Sequence, residues 1–165
     1  MEMETTRLKI IALTPEQLET LSTKVSALEK EFNCSYEGEA IEGSFQKILY
    51  EQSLKAKANR PFYLWLTFWL IIKKEDNKII GTIDFKNIPN AQGEVEIGYG
   101  LGKSHEHFGY MTEAVGAFCA WAKKQKNVQY IIAETEGDNI PSQRVLQRCG
   151  FTQQCNNKTI LWKFS

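Results

Sequence analysis

At residues 62–72 the chain reads Phe-Tyr-Leu-Trp-Leu-Thr-Phe-Trp-Leu-Ile-Ile, eleven residues without a charge. A run of this kind has to be buried, and it is far shorter than the ~20 apolar residues of a membrane-crossing helix. Its aromatic and β-branched content predicts a strand covered on both faces. Residues 73–78 form a polar turn around Asp76-Asn77, and Ile-Ile-Gly-Thr-Ile-Asp-Phe at 79–85 returns antiparallel as a hairpin. Upstream the hydrophobic period is helical instead. The change of period at mid-chain requires helices packed on a sheet.

Residues 7–13 read as a first strand. Thr14 followed by Pro15-Glu16-Gln17 is a capping box with proline at the first helical position. Leu18, Leu21, Val25 and Leu28 continue the helical spacing to about Glu31. A break at Asn33-Cys34-Ser35 leads to a second helix carrying Phe45, Ile48, Leu49 and Leu54, stopped by Asn59-Arg60-Pro61. After a turn at 90–93, residues 94–101 form another strand and 102–109 a loop. Beyond it Met111, Ala114, Val115, Phe118, Cys119 and Ala122 make one apolar helical face, with Lys123, Lys124 and Lys126 suited to the last turn. Residues 128–133 predict a strand, 142–149 a short helix, and 151–164 a strand pair across Asn156-Asn157. The expected fold is one α/β (α+β) domain over 1–165, with a mixed, mostly antiparallel sheet of about seven strands and about four helices.

Twenty basic residues balance twenty acidic ones in 165, which excludes the basic excess of a general nucleic-acid binder and the imbalance of a disordered chain. Cys34, Cys119, Cys149 and Cys155 have neither C-x-x-C nor metal-finger spacing. The N-terminus, Met1-Glu2-Met3-Glu4, is acidic where a secretory leader would be basic and then apolar. No membrane or nucleic-acid partner is expected, and the expected setting is cytoplasmic.

The chemistry concentrates in two units. The first is strand 94–101, its loop and the helix opening at Gly109, whose bare N–H groups and positive dipole end suit an anion such as phosphate. The second is Asp-Asn-Ile-Pro-Ser-Gln-Arg-Val-Leu-Gln-Arg-Cys-Gly-Phe at 138–151. With E-I-G-Y-G-L at 96–101 and G-Y-M-T-E-A at 109–114, this order resembles the GNAT N-acetyltransferase superfamily, especially its RimJ/RimL-like ribosomal-protein and small-amine branch.

That resemblance implies acetyl-CoA as acetyl donor, with no metal, and a primary amine, on a small molecule or a protein N-terminus, as acceptor. It implies that the strand from Glu94 splays away from the one at 128–133, with pantetheine in the gap beside main-chain groups of Tyr99, Gly100 and Leu101. A strand amide would polarise the thioester carbonyl. It places the pyrophosphate on Glu106, His107, Phe108, Gly109 and Tyr110, and the amide arm of the donor on Asn139. The family's loop pattern [QR]-x-x-G-x-[GA] falls on Ser104 to Gly109, and only Gly109 matches. His107 stands in for a glycine, and Glu106 would face an anion. Three readings of this loop stay open. A main-chain cradle survives because histidine tolerates a left-handed backbone, phosphate binding is lost, or His105 and His107 hold a metal.

Amide formation needs a proton removed from the ammonium and a proton for the leaving thiolate. Glu94 and Glu96 share a strand face, and Glu96 is the candidate base; its alternative is a solvated strand carboxylate. Ser142 matches the position of a proton donor to the thiolate and also that of a first-turn serine satisfying local backbone; it counts as a cofactor contact too. Tyr99 and Leu101 have the alternative of plain core side chains, and Asn139 that of a helix cap. Cys149 reads as structural. The competing function is an acyl-CoA-binding sensor without turnover, and a third is an interaction domain. Segment 33–57 is expected on the acceptor side, with Glu37, Glu39 and Glu42 available to a cation. Trp65 or Trp69, left exposed, would give a homodimer contact.

Overall fold

A computed structural model describes residues 1–165, the side chain of Asn156 excepted. The turn expected at Asn156-Asn157 lies one residue later, at Asn157-Lys158, where the Asn157 amide donates to the Thr159 carbonyl. Strands β1 (Glu2–Glu4), β2 (Leu8–Ala12), β3 (Ser35–Tyr36), β4 (Phe68–Lys73), β5 (Lys78–Phe85), β6 (Glu94–Leu101), β7 (Tyr130–Glu136), β8 (Thr152–Asn156) and β9 (Thr159–Phe164) alternate with helices α1 (Pro15–Thr23), α2 (Val25–Phe32), α3 (Gly43–Ala58), α4 (Tyr110–Lys123) and α5 (Ile140–Arg148). The sheet runs β1-β2-β4-β5-β6-β7-β9-β8, with β3 parallel beside the start of β5. Along that path only β6–β7 is a parallel pair. Among the described residues no helix is long and apolar enough to cross a membrane.

Alternation along β4 divides the core. Trp69 and Ile71 point towards α4, whose Met111, Ala114, Val115, Phe118, Cys119 and Ala122 are all buried, as their spacing predicts. Phe68, Leu70 and Ile72 point the other way, onto Leu18, Leu21, Leu28 and Leu49 of the first three helices. A bulge in the β4–β5 ladder re-phases β5, so that Ile83 and Phe85 join the α4 side and Thr82 and Asp84 turn to the opposite face.

Several sequence expectations are corrected. Residues 62–72 are not one strand: Arg60–Trp65 coils into 3-10 turns before β4 begins. Pro61 opens the turn, and the Tyr63 carbonyl accepts from the amides of both Leu66 and Thr67. This coil carries Trp65 inward to Phe85 and Trp121, with ring centroids 4.7 and 5.3 Å away. Trp65 (8% exposed) and Trp69 (0%) are therefore core, and neither offers a dimer contact. The helix expected to Glu31 breaks at Lys24, whose φ of −152° and ψ of 76° leave the helical region. The hydroxyls of Ser22 and Thr23 both donate to the Glu19 carbonyl, competing with the helix ladder at that point. The acidic N-terminus pairs with β2 as a strand, and the sheet has nine strands and five helices rather than seven and four. Strand β7 runs on to Glu136, α5 starts two residues early at Ile140, and α4 stops at Lys123, leaving Lys124 and Lys126 beyond it.

Candidate functional site

Strand β6 pairs with β7 only through Glu94↔Tyr130, Val95↔Ile131 and Glu96↔Ile132. Beyond this third rung β7 continues against β9, while β6 continues against β5 alone. The two strands open a wedge. The amide of Lys86 donates to the Glu96 carbonyl and that of Gly102 to the Ile80 carbonyl, which fixes the phase of the β5–β6 ladder. Alternation then turns the main-chain groups of Gly98 and Gly100 towards β5, and those of Tyr99 and Leu101 into the wedge. The expectation for Gly100 is corrected accordingly: it lines the cavity, but its ladder groups face β5.

On the α4 side of the wedge lies a cavity of about 330 Å³. Of the residues expected at the donor, Tyr99, Gly100, Leu101, Glu106, His107, Gly109, Asn139 and Ser142 line it. Phe108 and Tyr110 do not. The Phe108 side chain is 61% exposed, and Tyr110 lies under the Arg7 guanidinium, 4.3 Å from the ring centroid. His107 adopts φ 70°, the left-handed region that a glycine would favour, and Gly109 has φ 79°. The chain thus turns at His107 as the motif requires, and α4 opens without a side-chain cap, leaving its first amides free to meet an anion.

The two histidines do not converge. His105 is buried, its Nε2 2.9 Å from Glu37 Oε1, whereas the His107 side chain is 78% exposed. Among the described residues no group of His, Cys, Asp or Glu is arranged to hold a metal. Glu37 is committed to Lys78 and His105; hydrogen bonds from these two, Lys78 first, hold its carboxyl below the ordinary range. It is not free to attract a cation.

Asn139 caps α5, its Oδ1 accepting from the Ser142 amide at 3.2 Å. The Tyr99 hydroxyl spans the wedge to Ser142, 2.8 Å from Oγ and 3.3 Å from the carbonyl oxygen. Burial pushes Tyr99 up to about 12, against the Ser142 hydrogen bond, so it holds its proton at neutral pH. Cys149 is half-buried against α4 and burial raises its thiol pKa, which keeps it a thiol.

Three features were not read from sequence. Arg7 donates through Nη1 to the Phe108 carbonyl at 2.8 Å and pairs with Glu113 at 2.7 Å, tying β2 to the loop before α4. Burial works to raise the Glu113 carboxyl, but hydrogen bonds from Thr5 and Arg7 outweigh it and hold the group low. Arg144 and Arg148 also line the cavity. Their i, i+4 spacing on a helix after Asn139 was a usable signal. Third, a cavity of about 450 Å³ opens on the other side of the wedge, walled by Lys86, Gly98, Glu134, Glu136 and Thr159. It shares Tyr99, Asn139 and Ser142 with the first. Glu96 walls neither cavity; it stands on the last paired rung, 3.7 Å from Lys86 Nζ.

A parallel strand pair that splays to expose a row of amides, next to an uncapped helix mouth, defines a class: α/β acyltransferases that take a phosphopantetheine thioester as an added strand. The chain matches the acetyltransferase (GNAT) domain over residues 7–152 and belongs to that family. It is 31% identical to the uncharacterized N-acetyltransferase YjdG of Bacillus subtilis (strain 168), covering 98% of this chain and 94% of that one. The fold is that of a ribosomal-protein-S5-alanine acetyltransferase from Vibrio fischeri, with TM-score 0.71 at 20% identity over 99% of this chain and 96% of the other. A RimL ribosomal L7/L12 alpha-N-protein acetyltransferase in complex with coenzyme A gives TM-score 0.70 at 15% identity, covering 99% and 97%. The chain is an acetyl-CoA-dependent N-acetyltransferase.

Proposed function

We propose that the chain acetylates a primary amine, on a protein N-terminus or a small molecule, by direct attack within a ternary complex. The observation that carries this reading is the wedge, flanked by one cavity on each face of the sheet and lined at its throat by Tyr99, Asn139 and Ser142. Two reactants entering from opposite faces would meet there, and holding them together removes the need for a covalent acyl-enzyme.

In this reading the α4-side cavity holds the donor. The Tyr99 and Leu101 main chain pairs with its pantetheine arm, and one of those amides polarises the thioester carbonyl. Gly109 and the first amides of α4 meet the pyrophosphate, with His107 shaping the turn and Glu106 at its rim. Phe108 and Tyr110 contribute main chain only. Arg144 and Arg148 add positive charge, and the free Nδ2 of Asn139 is left to the amide arm. Ser142, oriented by Tyr99, supplies the proton to the leaving thiolate. Glu96 removes the proton from the ammonium, directly or through water. The acceptor occupies the second cavity, where Glu134 and Glu136 favour a cation. The names of the two solved neighbours, which acetylate ribosomal proteins, support a protein N-terminus as one acceptor.

Calorimetric titration with acetyl-CoA, followed by thiol release over peptides with free N-termini, a polyamine, an aminoglycoside and single amino acids, tests the reading. Saturable binding and sustained release with at least one amine are expected. Binding without release from any amine would overturn it.

A further inference from the structure

Asp84 is the buried carboxylate that the reaction as described leaves unused. It is 9% exposed, and among the described residues its side chain has no hydrogen-bond partner. Its oxygens keep a little solvent contact, since among the described residues the enclosed side-chain atom without a partner is Gln52 Nε2. A carboxylate this far buried with no protein partner is still costly to ionise, so its place in the fold calls for a function.

That place is the acceptor face of the wedge. The β-bulge before Gly81 turns Asp84 away from α4, to the face that also carries Glu96 and Gly98. Asp84 pairs in register with Gly98, and a Cβ added at Gly98 would meet Asp84 Oδ1 at 3.0 Å and Lys86 Cε at 3.2 Å. Gly98 and Lys86 are both walls of the acceptor-side cavity. The missing side chain at Gly98 is therefore the window between Asp84 and that cavity. The charged groups bearing on Asp84 are Lys86, just past the end of its strand, and Glu96 on β6, while β4 sets the apolar Phe68 opposite it.

We propose that Asp84 is the terminal acceptor of the proton that the amine gives up, working behind Glu96. This rests on the acetyl-transfer reading of the same site. The substrate ammonium carries three N–H bonds and the product amide one. One proton goes to Asp84 by way of Glu96, the nitrogen lone pair forms the C–N bond as the C–S bond breaks, and the second proton ends on the thiolate. Asp84 then returns its proton to solvent. Because it works through Glu96 and touches no reacting atom, it is a positioning residue for the proton rather than a catalytic one.

Burial first, with the like charge of Glu96 adding and Lys86 opposing, pushes Asp84 up to about 7, where it exchanges protons at neutral pH.

The test uses the amine of the panel with the fastest wild-type thiol release, for wild type, Asp84→Asn, Asp84→Glu and Glu96→Gln between pH 5.5 and 9. The wild-type rate is expected to rise with pH through a limb near 7. Asp84→Asn should lower kcat by roughly tenfold or more and abolish that limb, with the acetyl-CoA Kd unchanged, and Asp84→Glu should restore part of both. Glu96→Gln breaks the relay and should lower kcat at least as far as Asp84→Asn does, with the acetyl-CoA Kd again unchanged. Titration of 13C-labelled aspartate carboxyls by NMR should find Asp84 near 7 in the wild type. An Asp84→Asn enzyme with the wild-type rate and limb, or an Asp84 that titrates as an ordinary aspartate, defeats this assignment alone. A wild type that binds acetyl-CoA but acetylates none of the amines defeats the functional reading and this one with it.

Discussion

A single carboxylate shows how function and stability pull apart at the residue scale. Asp84 titrates at about 3.8 when unfolded and is pushed up to about 7 by burial in the fold. The folded state therefore binds its proton more tightly than the unfolded state does. Below the unfolded value both states are protonated and the group is neutral to stability. As pH rises from there through 7, the folded protein retains a proton that the unfolded chain has released, and stability falls. Asp84→Asn is thus expected to leave stability nearly unchanged at pH 4 and to raise it by up to about 4 kcal/mol at pH 8. Denaturant unfolding at the two pH values checks this, and an equal effect at both would show that the charge is not what costs stability. Asp84 could not be singled out from sequence. In Ile-Ile-Gly-Thr-Ile-Asp-Phe it reads as an ordinary polar position, and only the bulge at the start of β5 decides which face it takes. Glu96 was legible because alternation within an unbulged strand fixes its face.

At the scale of elements, the sequence was informative wherever one period ran uninterrupted. Strand β6 and the apolar face of α4 follow directly from spacing, and the capping box of α1 from Thr14 and Gln17. It was silent where a side chain or a turn overrides the period, as the Ser22 and Thr23 hydroxyls do at the end of α1 and the coil at Arg60–Trp65 does before β4. The loop between β6 and α4 belongs to both kinds. Its motif is degenerate, yet its backbone keeps the glycine-like turn at His107. A non-glycine residue in this conformation is strained by ~1 kcal/mol, and a glycine would relieve that strain. Glycine also gains freedom in the unfolded chain, by a comparable amount. His107→Gly should therefore change stability by less than about 0.5 kcal/mol and leave the acetyl-CoA Kd equal or tighter, since the backbone and not the ring makes the turn. His107→Val should lose about 1–2 kcal/mol and weaken binding, because a β-branched residue resists this turn. Denaturation midpoints and calorimetry read both, and a tenfold weakening by glycine would show that the imidazole is itself a ligand.

The whole molecule is divided at the wedge, with Glu94 to Glu96 the last rungs that join its two halves of sheet. The halves are otherwise bridged by packing of α4 and α5 and by the Tyr99–Ser142 hydrogen bond. A donor lying in the wedge as an added strand would complete the sheet, so its binding energy appears directly as folding stability. At a concentration one hundred times its Kd, acetyl-CoA should stabilise the fold by ~2.7 kcal/mol, which for a chain of this size raises Tm by roughly 5–10 °C. Coenzyme A lacking the acetyl group should give a similar rise, because the contacts assigned here lie along the pantetheine and the phosphates. Part of that energy is electrostatic. Arg144 and Arg148 face the donor cavity from an exposed helix surface, and neither is paired with a carboxylate among the described residues. Their attraction for phosphates is screened within about 8 Å at physiological salt. Replacing both with alanine should shrink the Tm rise at low salt and make it nearly independent of salt, whereas the wild-type rise should fall as salt increases. Differential scanning fluorimetry at 20 and 500 mM salt, between which the screening length falls roughly fivefold, distinguishes the two behaviours. A ligand that left Tm unmoved in the wild type at saturating concentration would show that the open edge of Tyr99 and Leu101 is not where the thioester lies.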